Sequence, residues 1–357
     1  MPKMLRIECS GTPYEIGLQH GQEARVQISR SIMFYADLFQ RNCNLSWEAV
    51  QGLAMRDFLP VIQEKWPELM QEMRGIADGT DLGVEDILAL NVRTEVAFGM
   101  FSDGCTAFST FGSEGGKGDV SWLSQNWDWN PLQKRNLVQL SITQPGKPRI
   151  MMITEAGIIG KIGMNEYGVG VCLNAIRASG VDFRKLPCHL GLRVVLESAS
   201  REDALKRLEG FGGVASACHM LIADREGGVG VEWSFKGWEK IEMDGKGRVF
   251  HANHYLRSPA EGVKEDEAWL EGSRYRTKRI EELVDRLQEE HGGEVSYEGI
   301  LEVFKDEGGF PKSICRKREG DSTDETLFNI VMDLKGLKAF VVVGRPTEPE
   351  EKLELVF

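Results

Sequence analysis

Residues 103–106 of the chain read DGCT, and the character of the sequence changes at this point. From residue 13 to about residue 100, apolar side chains recur at helical spacing, for example at Ile16, Ala24 and Ile28. After the cysteine, short runs of β-type residues such as TAFST, WLSQNWDW and LVQLSIT are separated by Gly, Asn and Pro. We therefore predict that the first third is mainly helical and that a sheet begins at Cys105.

The remainder of the chain carries its strands and helices in blocks. Helices are predicted from LRVVLESA and ALKRLEGF, and again near residues 273–290 and 296–306. Strand-like runs lie between and after them, among them CHMLIAD, GVGVEWS, VFHANH, TLFNIVMD and AFVVVG. Blocks of this kind predict an α+β fold in which two packed sheets are covered by helices on both sides. The polar stretches 112–119, 260–272 and 316–324 are predicted to be surface loops.

The composition narrows the class of protein. With 357 residues, of which 41% are hydrophobic and 27% charged, the chain can bury a large core. Its net charge of −12 would repel nucleic acid and anionic lipid, so we expect neither as a partner. No run approaches the roughly 18 apolar residues of a membrane span, and the first residues lack the apolar run of a secretion signal. Seven cysteines, an odd number, favour reduced thiols. The last residues, LELVF, do not form a peroxisomal targeting tripeptide. We therefore expect a soluble cytoplasmic protein.

The step from Gly104 to Cys105 suggests chemistry as well as structure. A glycine leaves its carbonyl carbon open to attack, so a strained backbone would let the Cys105 thiol add to it and form a thioester that water could hydrolyse. The chain would then be divided into residues 1–104 and 105–357. The new α-amine could act as the base for the thiol beside it, because it titrates near neutral pH. From this step alone, the alternative is a buried structural cysteine.

Several distant segments add specificity when they are read together. They are DGCT at 103–106, QNWDW at 125–129, TEAGIIGKIGMNEYGVGV at 154–171, HANH at 251–254 and FPKSICR at 310–316. Together they resemble the isopenicillin N acyltransferase family of the N-terminal nucleophile hydrolase superfamily, and GTPYEIGLQHG and GRPTEPEE extend the resemblance over nearly the whole chain. The resemblance implies a four-layer αββα fold and self-cleavage before Cys105. It also implies a heterodimer of a mainly helical 1–104 fragment and a 105–357 fragment that carries the nucleophile and the two-sheet core.

The resemblance also implies roles for four residues. Cys105 matches the nucleophile, and Asp128 matches the acid that hydrogen-bonds the nucleophile's α-amine. Asn253 matches the amide that stabilises the tetrahedral oxyanion, and Arg316 matches an arginine that could steady the acid or grip a substrate carboxylate. The alternatives are a solvated aspartate at a strand end, an asparagine in an Asx turn and a surface arginine.

Two further residues are candidates for binding substrate. Glu155 belongs to a segment that lines the acyl site in relatives, although it could instead cap a turn. Trp129 and Asn130 follow the acid where penicillin-forming members carry aromatic residues at both positions, so half of that aromatic wall is replaced. Gln125 stands where many amidase relatives place an arginine, which favours the acyltransferase branch and leaves Arg316 to supply the charge.

The implied activity is acyl transfer through a Cys105 thioester. The acyl donor would be an acyl-CoA or an N-acyl amide, and the acceptor the amine of a small peptide-like or amino-lactam metabolite, as in antibiotic biosynthesis. Hydrolysis of N-acyl amides by the same thioester is the first alternative, and an unprocessed binding scaffold is the second. No cofactor and no metal are expected, because the histidines, among them His251 and His254, lack the spacing of a zinc site.

Overall fold

A computed structural model of the chain describes residues 3–97, 104–113, 119–267, 270–320 and 322–357. Asp103 therefore lies outside the described residues, as does the centre of the predicted loop 112–119. No helix in the described part of the chain is both long and apolar enough to cross a membrane.

The first third is helical, as predicted. Helix α1 begins with a capping box, in which the Thr12 side chain accepts from the Glu15 backbone N–H and the Glu15 side chain accepts from the Thr12 backbone N–H. The helices are α1 (Pro13–Glu23), α2 (Arg25–Cys43), α3 (Trp47–Leu53), α4 (Leu59–Lys65), α5 (Pro67–Thr80), α6 (Val84–Asn91) and α7 (Arg93–Val96). A π-helical turn over Ala54–Phe58 joins α3 to α4. One strand, β1 (Leu5–Ser10), precedes them and was not predicted.

The strands form two sheets. In the first sheet, β1 pairs with β4 in parallel and the other neighbours are antiparallel. Its order is β1, β4 (Leu137–Thr143), β5 (Ile150–Glu155), β6 (Ile162–Asn165), β7 (Gly170–Ala175), β8 (Cys218–Asp224), β9 (Gly227–Ser234), β10 (Gly237–Ile241). The second sheet is antiparallel. Its order is β11 (Arg248–His251), β2 (Gly104–Ser113), β3 (Asp119–Trp129), β12 (Glu325–Asp333), β13 (Lys338–Arg345), β14 (Glu348–Val356).

The remaining helices cover the outer faces of the two sheets. Helices α8 (Cys188–Leu196) and α9 (Arg201–Gly210) lie on the first sheet, where α8 brings Gly191 against the Met220 side chain of β8. Helices α10 (Leu270–Glu290) and α11 (Tyr297–Phe304) lie on the second, and their apolar side chains form one cluster with Phe108, Trp122 and Val331. The inner faces of the two sheets share the main core. The layers confirm the predicted αββα fold.

The pairing of β2 with β3 decides which way the candidate residues face. Cys105 lies opposite Trp127, and Gly104 lies opposite Asp128. Because neighbouring residues of a strand point to opposite faces, Cys105 and Trp127 face the inner core, while Asp128 faces the α10 side. The first residues of β2 are therefore contacted from both faces of the second sheet.

Candidate active site

Side chains hold both backbone groups of Cys105, which is fully buried. Its N–H donates to Oδ1 of Asn253 at 2.9 Å. Its carbonyl oxygen accepts from Nη1 of Arg276, and the same nitrogen donates to Oγ1 of Thr106 at 2.9 Å. The residue is thus fixed on the nitrogen side by an amide oxygen and on the carbonyl side by a guanidinium group.

Asn253 follows β11 and makes hydrogen bonds through both its side chain and its backbone N–H. Besides the Cys105 N–H, its Oδ1 accepts from Nη2 of Arg276 at 2.8 Å, and its Nδ2 donates to the Ala175 carbonyl at 2.9 Å. Its backbone N–H donates to Oγ of Ser273 at 2.6 Å. The Asx-turn alternative is wrong, because the side chain bonds to residues far away in the sequence. Two donors at Oδ1 and an acceptor at Nδ2 fix the amide so that its oxygen, and not its nitrogen, faces the Cys105 N–H.

Asp128 is a fully buried carboxyl group, so the solvated strand-end alternative is wrong. Its Oδ1 accepts from Oγ1 of Thr326 at 2.7 Å, and its Oδ2 lies 4.0 Å from Nε of Arg316. Burial raises the pKa of Asp128 to about 6, although Arg316, Arg276 and the Thr326 hydroxyl favour its charged form. A group with this pKa can change its charge close to neutral pH.

Arg316 is buried as well, so the alternative of a surface arginine is wrong. The prediction that 316–324 is a surface loop is corrected too, because this segment also buries Ser322 and Asp324. The physical reason is charge compensation, because Nη1 lies 3.8 Å from Oδ2 of Asp324 and Nε faces Asp128. Within the described residues, Nε and Nη1 of Arg316 and Oδ2 of Asp128 have no hydrogen-bond partner. This pair of charges therefore has unused hydrogen-bonding capacity.

Gly104 lies directly against the Asp128–Arg316 pair. A Cβ atom at this position would lie 2.3 Å from Nη1 of Arg316 and 3.2 Å from Oδ2 of Asp128. Only a residue without a side chain fits without displacing the guanidinium group. The peptide bond between Gly104 and Cys105 thus has the charged pair against its glycine and the Asn253 and Arg276 hydrogen bonds on its cysteine.

A cavity of about 560 Å³ opens beside these residues on the α10 side of the second sheet. The buried Arg276 and Arg316 form part of its wall, with Lys312 near the outside. The other lining residues are polar, aromatic, acidic or small: Glu271, Gly272, Ser273, Tyr275, Gly309, Phe310, Pro311, Ser322, Thr323 and Asp324. Its size suits a small organic molecule, and its cationic wall suits a ligand with an anionic group.

Glu155 lies at the end of β5 inside a buried network of charges. It accepts hydrogen bonds from Arg93 at 2.6 Å, Lys161 at 2.7 Å, Gln133 at 2.9 Å and the Tyr35 hydroxyl. Burial opposes ionisation, yet the Arg93 and Lys161 charges hold the pKa of Glu155 well below its usual range. The turn-capping alternative is wrong, because these partners are side chains.

The Glu155 network and Trp129, the remaining residue of the predicted aromatic wall, lie on the inner side of the second sheet, which is the side that Cys105 faces. Nζ of Lys161 lies 4.2 Å from the centroid of the Trp127 ring, the residue paired with Cys105. The Trp129 ring packs against Phe34 of α2, with 6.3 Å between centroids. Asn130 has a structural role here, since its Oδ1 accepts from the Leu132 N–H and caps the short 3₁₀ helix Pro131–Asn136.

Gln125 likewise has a structural role, because its side chain exchanges hydrogen bonds with the Leu173 backbone and so joins the two sheets. The charge near Asp128 comes from Arg316, as the sequence analysis expected. The residues that the sequence analysis missed are Arg276, Ser273, Thr326 and Asp324. A signal exists for the first two: Ser273 and Arg276 lie on the same buried stripe of α10 as Ile280, Val284 and Leu287.

Three of the histidines, His20, His251 and His254, are buried and hydrogen-bonded to neighbouring groups. Nε2 of His251 lies 2.8 Å from Oε1 of Glu232, which accepts its hydrogen bond, and Nδ1 of His254 contacts Oγ of Ser273 at 2.8 Å. His20 accepts from the Gly157 N–H at 3.1 Å. Across the described parts of the chain, no group of three His, Cys, Asp or Glu residues is placed to hold a metal ion.

Comparisons with known proteins identify the family of the chain. Residues 113–348 match the model of a family described as acyl-coenzyme A:6-aminopenicillanic acid acyl-transferase. The chain is 38% identical over 357 residues to the acyl-coenzyme A:6-aminopenicillanic-acid-acyltransferase 40 kDa form of Emericella nidulans, covering 99% of this chain and 96% of that protein.

Among solved structures, an N-acylethanolamine-hydrolyzing acid amidase ortholog of Caenorhabditis elegans is 17% identical, with a TM-score of 0.47 over 64% of this chain and 93% of that one. A mutant conjugated bile acid hydrolase of Clostridium perfringens is 14% identical, with a TM-score of 0.49 over 70% and 92%. The family match and the sequence identity to the Emericella protein are the decisive observations. The chain belongs to the acyl-coenzyme A:6-aminopenicillanic acid acyl-transferase family.

Proposed function

We propose that this enzyme cuts its own chain between Gly104 and Cys105 and then uses the Cys105 thiol to pass an acyl group to the amine of a small molecule. Membership of an acyltransferase family supports the transfer. The observation that carries the proposal is the environment of the Gly104–Cys105 bond. Asn253 accepts from the nitrogen of that bond at 2.9 Å, and Asp128 and Arg316 pack against Gly104.

The proposed cleavage is a transfer of the Gly104 acyl group from nitrogen to sulfur, followed by hydrolysis. The Cys105 sulfur attacks the Gly104 carbonyl carbon, the C–S bond forms, the C–N bond breaks, and the thiol proton moves to the Cys105 nitrogen. Water then hydrolyses the thioester, which leaves a Gly104 carboxylate and restores the thiol. Asn253 would hold the departing nitrogen in place, because its Oδ1 accepts a hydrogen bond from it.

In the mature enzyme, the free α-amine of Cys105 takes the thiol proton, and the thiolate attacks the carbonyl carbon of the acyl donor. The leaving group departs with that proton, and an acyl thioester remains on Cys105. An amine acceptor then attacks the thioester, an amide forms and the thiol is restored. The name of the Emericella relative, which contains an acyl-coenzyme A and an aminopenicillanic acid, suggests a thioester donor and an amino-lactam acceptor.

The cavity supports a substrate that carries a carboxylate. Two buried nitrogen atoms of Arg316, Nε and Nη1, have no hydrogen-bond partner among the described residues. Arg276 and Lys312 also line the cavity, so its wall carries three cationic side chains. A guanidinium group binds a carboxylate through paired hydrogen bonds, which suits this arrangement. We further assign Trp129 and Glu155 to the opposite, inner side, where Trp129 would contact the acyl group and Glu155 would act through Lys161 and Trp127.

A denaturing gel tests self-cleavage. The purified protein should run as two fragments of about 11 and 28 kDa, at roughly 110 Da per residue, and Cys105→Ala should remain one chain of 40.0 kDa. Terminal sequencing of the larger fragment should begin at Cys105. A wild-type protein that stays in one piece would exclude the proposal.

Product analysis then separates transfer from hydrolysis. The cleaved enzyme is incubated with acyl donors, and mass spectrometry identifies the acyl group that Cys105 accepts. The same donor is then supplied with and without an added amine. Formation of the amide product supports transfer, whereas release of the free acid alone, even with excess amine, would establish the hydrolase alternative.

A further inference from the structure

One turn of α10, from Ser273 to Arg276, carries two polar side chains that do not point to solvent. Ser273 and Arg276 are 1% and 2% exposed, whereas Arg274 between them is exposed. Removing a guanidinium group from water is costly, so its burial requires strong compensating contacts. Those contacts identify what the turn does.

The two side chains converge on Cys105 and Asn253. Arg276 donates to the Cys105 carbonyl, to Oγ1 of Thr106 at 2.9 Å and to Oδ1 of Asn253 at 2.8 Å. Ser273 accepts from the Asn253 backbone N–H at 2.6 Å. One helical turn therefore fixes the backbone and side chain of Asn253 together with the backbone of Cys105.

We propose that Ser273 and Arg276, here called the α10 clamp, are the positioning residues for the Cys105 nucleophile, before and after cleavage. This inference rests on the proposed function. Cleavage would remove the covalent restraint on the nitrogen of Cys105, and the end of a strand frays unless other contacts hold it. Asn253 holds the nitrogen, Arg276 holds the carbonyl, and the bond between Arg276 and Asn253 makes the two restraints one unit.

The geometry of the clamp requires arginine. Its planar fork lets Nη1 serve two acceptors while Nη2 serves the third, whereas a lysine ammonium is a single point charge on a flexible stem. Burial and the nearby Arg316 lower the pKa of Arg276 to about 10, so the side chain remains charged at neutral pH. A lysine should therefore preserve the charge but only part of the positioning.

The test measures how fast the two fragments appear after the full-length chain is made by cell-free synthesis. Arg276→Lys should slow cleavage about tenfold and Arg276→Met about a hundredfold, the range expected for a lost charged hydrogen bond or a displacement of about 1 Å. Ser273→Ala should slow it about tenfold. Arg274→Met changes an exposed arginine of the same turn and should cut at the wild-type rate.

Chemical rescue distinguishes positioning from a general loss of structure. Guanidinium added at concentrations too low to unfold the protein should accelerate Arg276→Ala at least about tenfold, with no effect on Arg274→Met. Melting curves in the uncleavable Cys105→Ala background identify which variants fold. If the Ala and Met variants do not fold, the slower cleavage of folded Arg276→Lys and Ser273→Ala decides.

The outcomes separate this inference from the function on which it rests. If the wild-type chain stays whole, the proposed function is wrong. If the wild type cuts itself and both Arg276→Lys and Ser273→Ala cut and transfer acyl groups at the wild-type rate, the α10 clamp alone is wrong. Graded loss with guanidinium rescue supports it.

Discussion

At the scale of single residues, Asp128 controls the charge beside the Gly104–Cys105 bond. Burial raises its pKa to about 6, so the carboxyl group is mostly ionised at neutral pH and protonated in mild acid. We propose that the ionised form holds the α-amine of mature Cys105, the role that the sequence resemblance implies for this residue. The rate of acyl transfer should therefore fall about tenfold per unit as the pH drops below about 6.

Asp128→Asn is the matching variant for this pH dependence. It should lower the rate by about a hundredfold or more and remove the inflection near pH 6.

The raised pKa of Asp128 also makes the stability of the wild-type protein depend on pH. Between about pH 4 and 6 the folded protein binds more protons at this residue than the unfolded chain does. The contribution of Asp128 to stability therefore falls as the pH rises through that range. The Asn variant should lack this fall. A pH–rate profile and melting curves measure both, and an unchanged inflection in the variant would contradict the assignment.

The sequence identified the four central residues only through motifs scattered along the chain. Cys105 and Asn253 are in direct contact, and Asp128 lies beside Arg316, so the motif residues do assemble into one site. Their hydrogen-bond directions could not be predicted. The orientation of the Asn253 amide, with Oδ1 towards the Cys105 N–H and Nδ2 towards the Ala175 carbonyl, depends on Ala175 and Arg276, which belong to elements distant in the sequence.

At the scale of elements, the start of β2 depends on close packing against Arg316. Gly104→Ala would bring a methyl group to 2.3 Å from its guanidinium group, so the arginine or the strand must move. We expect self-cleavage to slow at least tenfold, about the effect of a small displacement of reacting groups. Gly112→Ala is the matched control on the same strand, because its Cβ would meet no atom of the described residues within 4 Å.

Timed denaturing gels of the two alanine variants check this expectation. Equal cleavage rates for Gly104→Ala and wild type would mean that Arg316 yields without consequence and that the close contact is unimportant. Slow cleavage in both alanine variants would point to a general weakness of β2 rather than to the contact with Arg316.

The strands that the sequence analysis missed include the edge strands β1 and β14 and the short internal strand β6. In β1, Ile7 and Cys9 are buried while their neighbours are exposed, but six residues give too short an alternation to stand out. In β14, only Leu353 and Leu355 are buried in a run rich in glutamate. An edge strand has one unpaired side and often carries charges, so its sequence resembles a loop. Longer internal strands are buried on both faces and are easier to recognise, whereas β6 has only four residues.

At the scale of the whole molecule, buried polar contacts join the first third to the rest. Arg93 pairs with Glu155 at 2.6 Å, and Glu72 pairs with Arg193 at 2.8 Å, all four with side chains at most 5% exposed. Separating the two parts would leave these charges without partners inside apolar surfaces. The proposed 1–104 and 105–357 fragments should therefore remain together after cleavage and elute from gel filtration as one particle.

Glu155→Gln tests how much that interface depends on its charges. Glu155 accepts hydrogen bonds from both Arg93 and Lys161, so the variant removes the negative charge that these two buried cations share. We expect a loss of about 3–5 kcal/mol in the free energy of unfolding. Urea titration in the Cys105→Ala background measures it on an uncut chain. Asp37→Asn, which removes the exposed i,i+4 pair with Arg41, is the control and should change little. A Glu155→Gln protein as stable as this control would mean that apolar packing alone joins the fragments; the expected loss would instead make the buried charges the contacts that keep the cut enzyme whole.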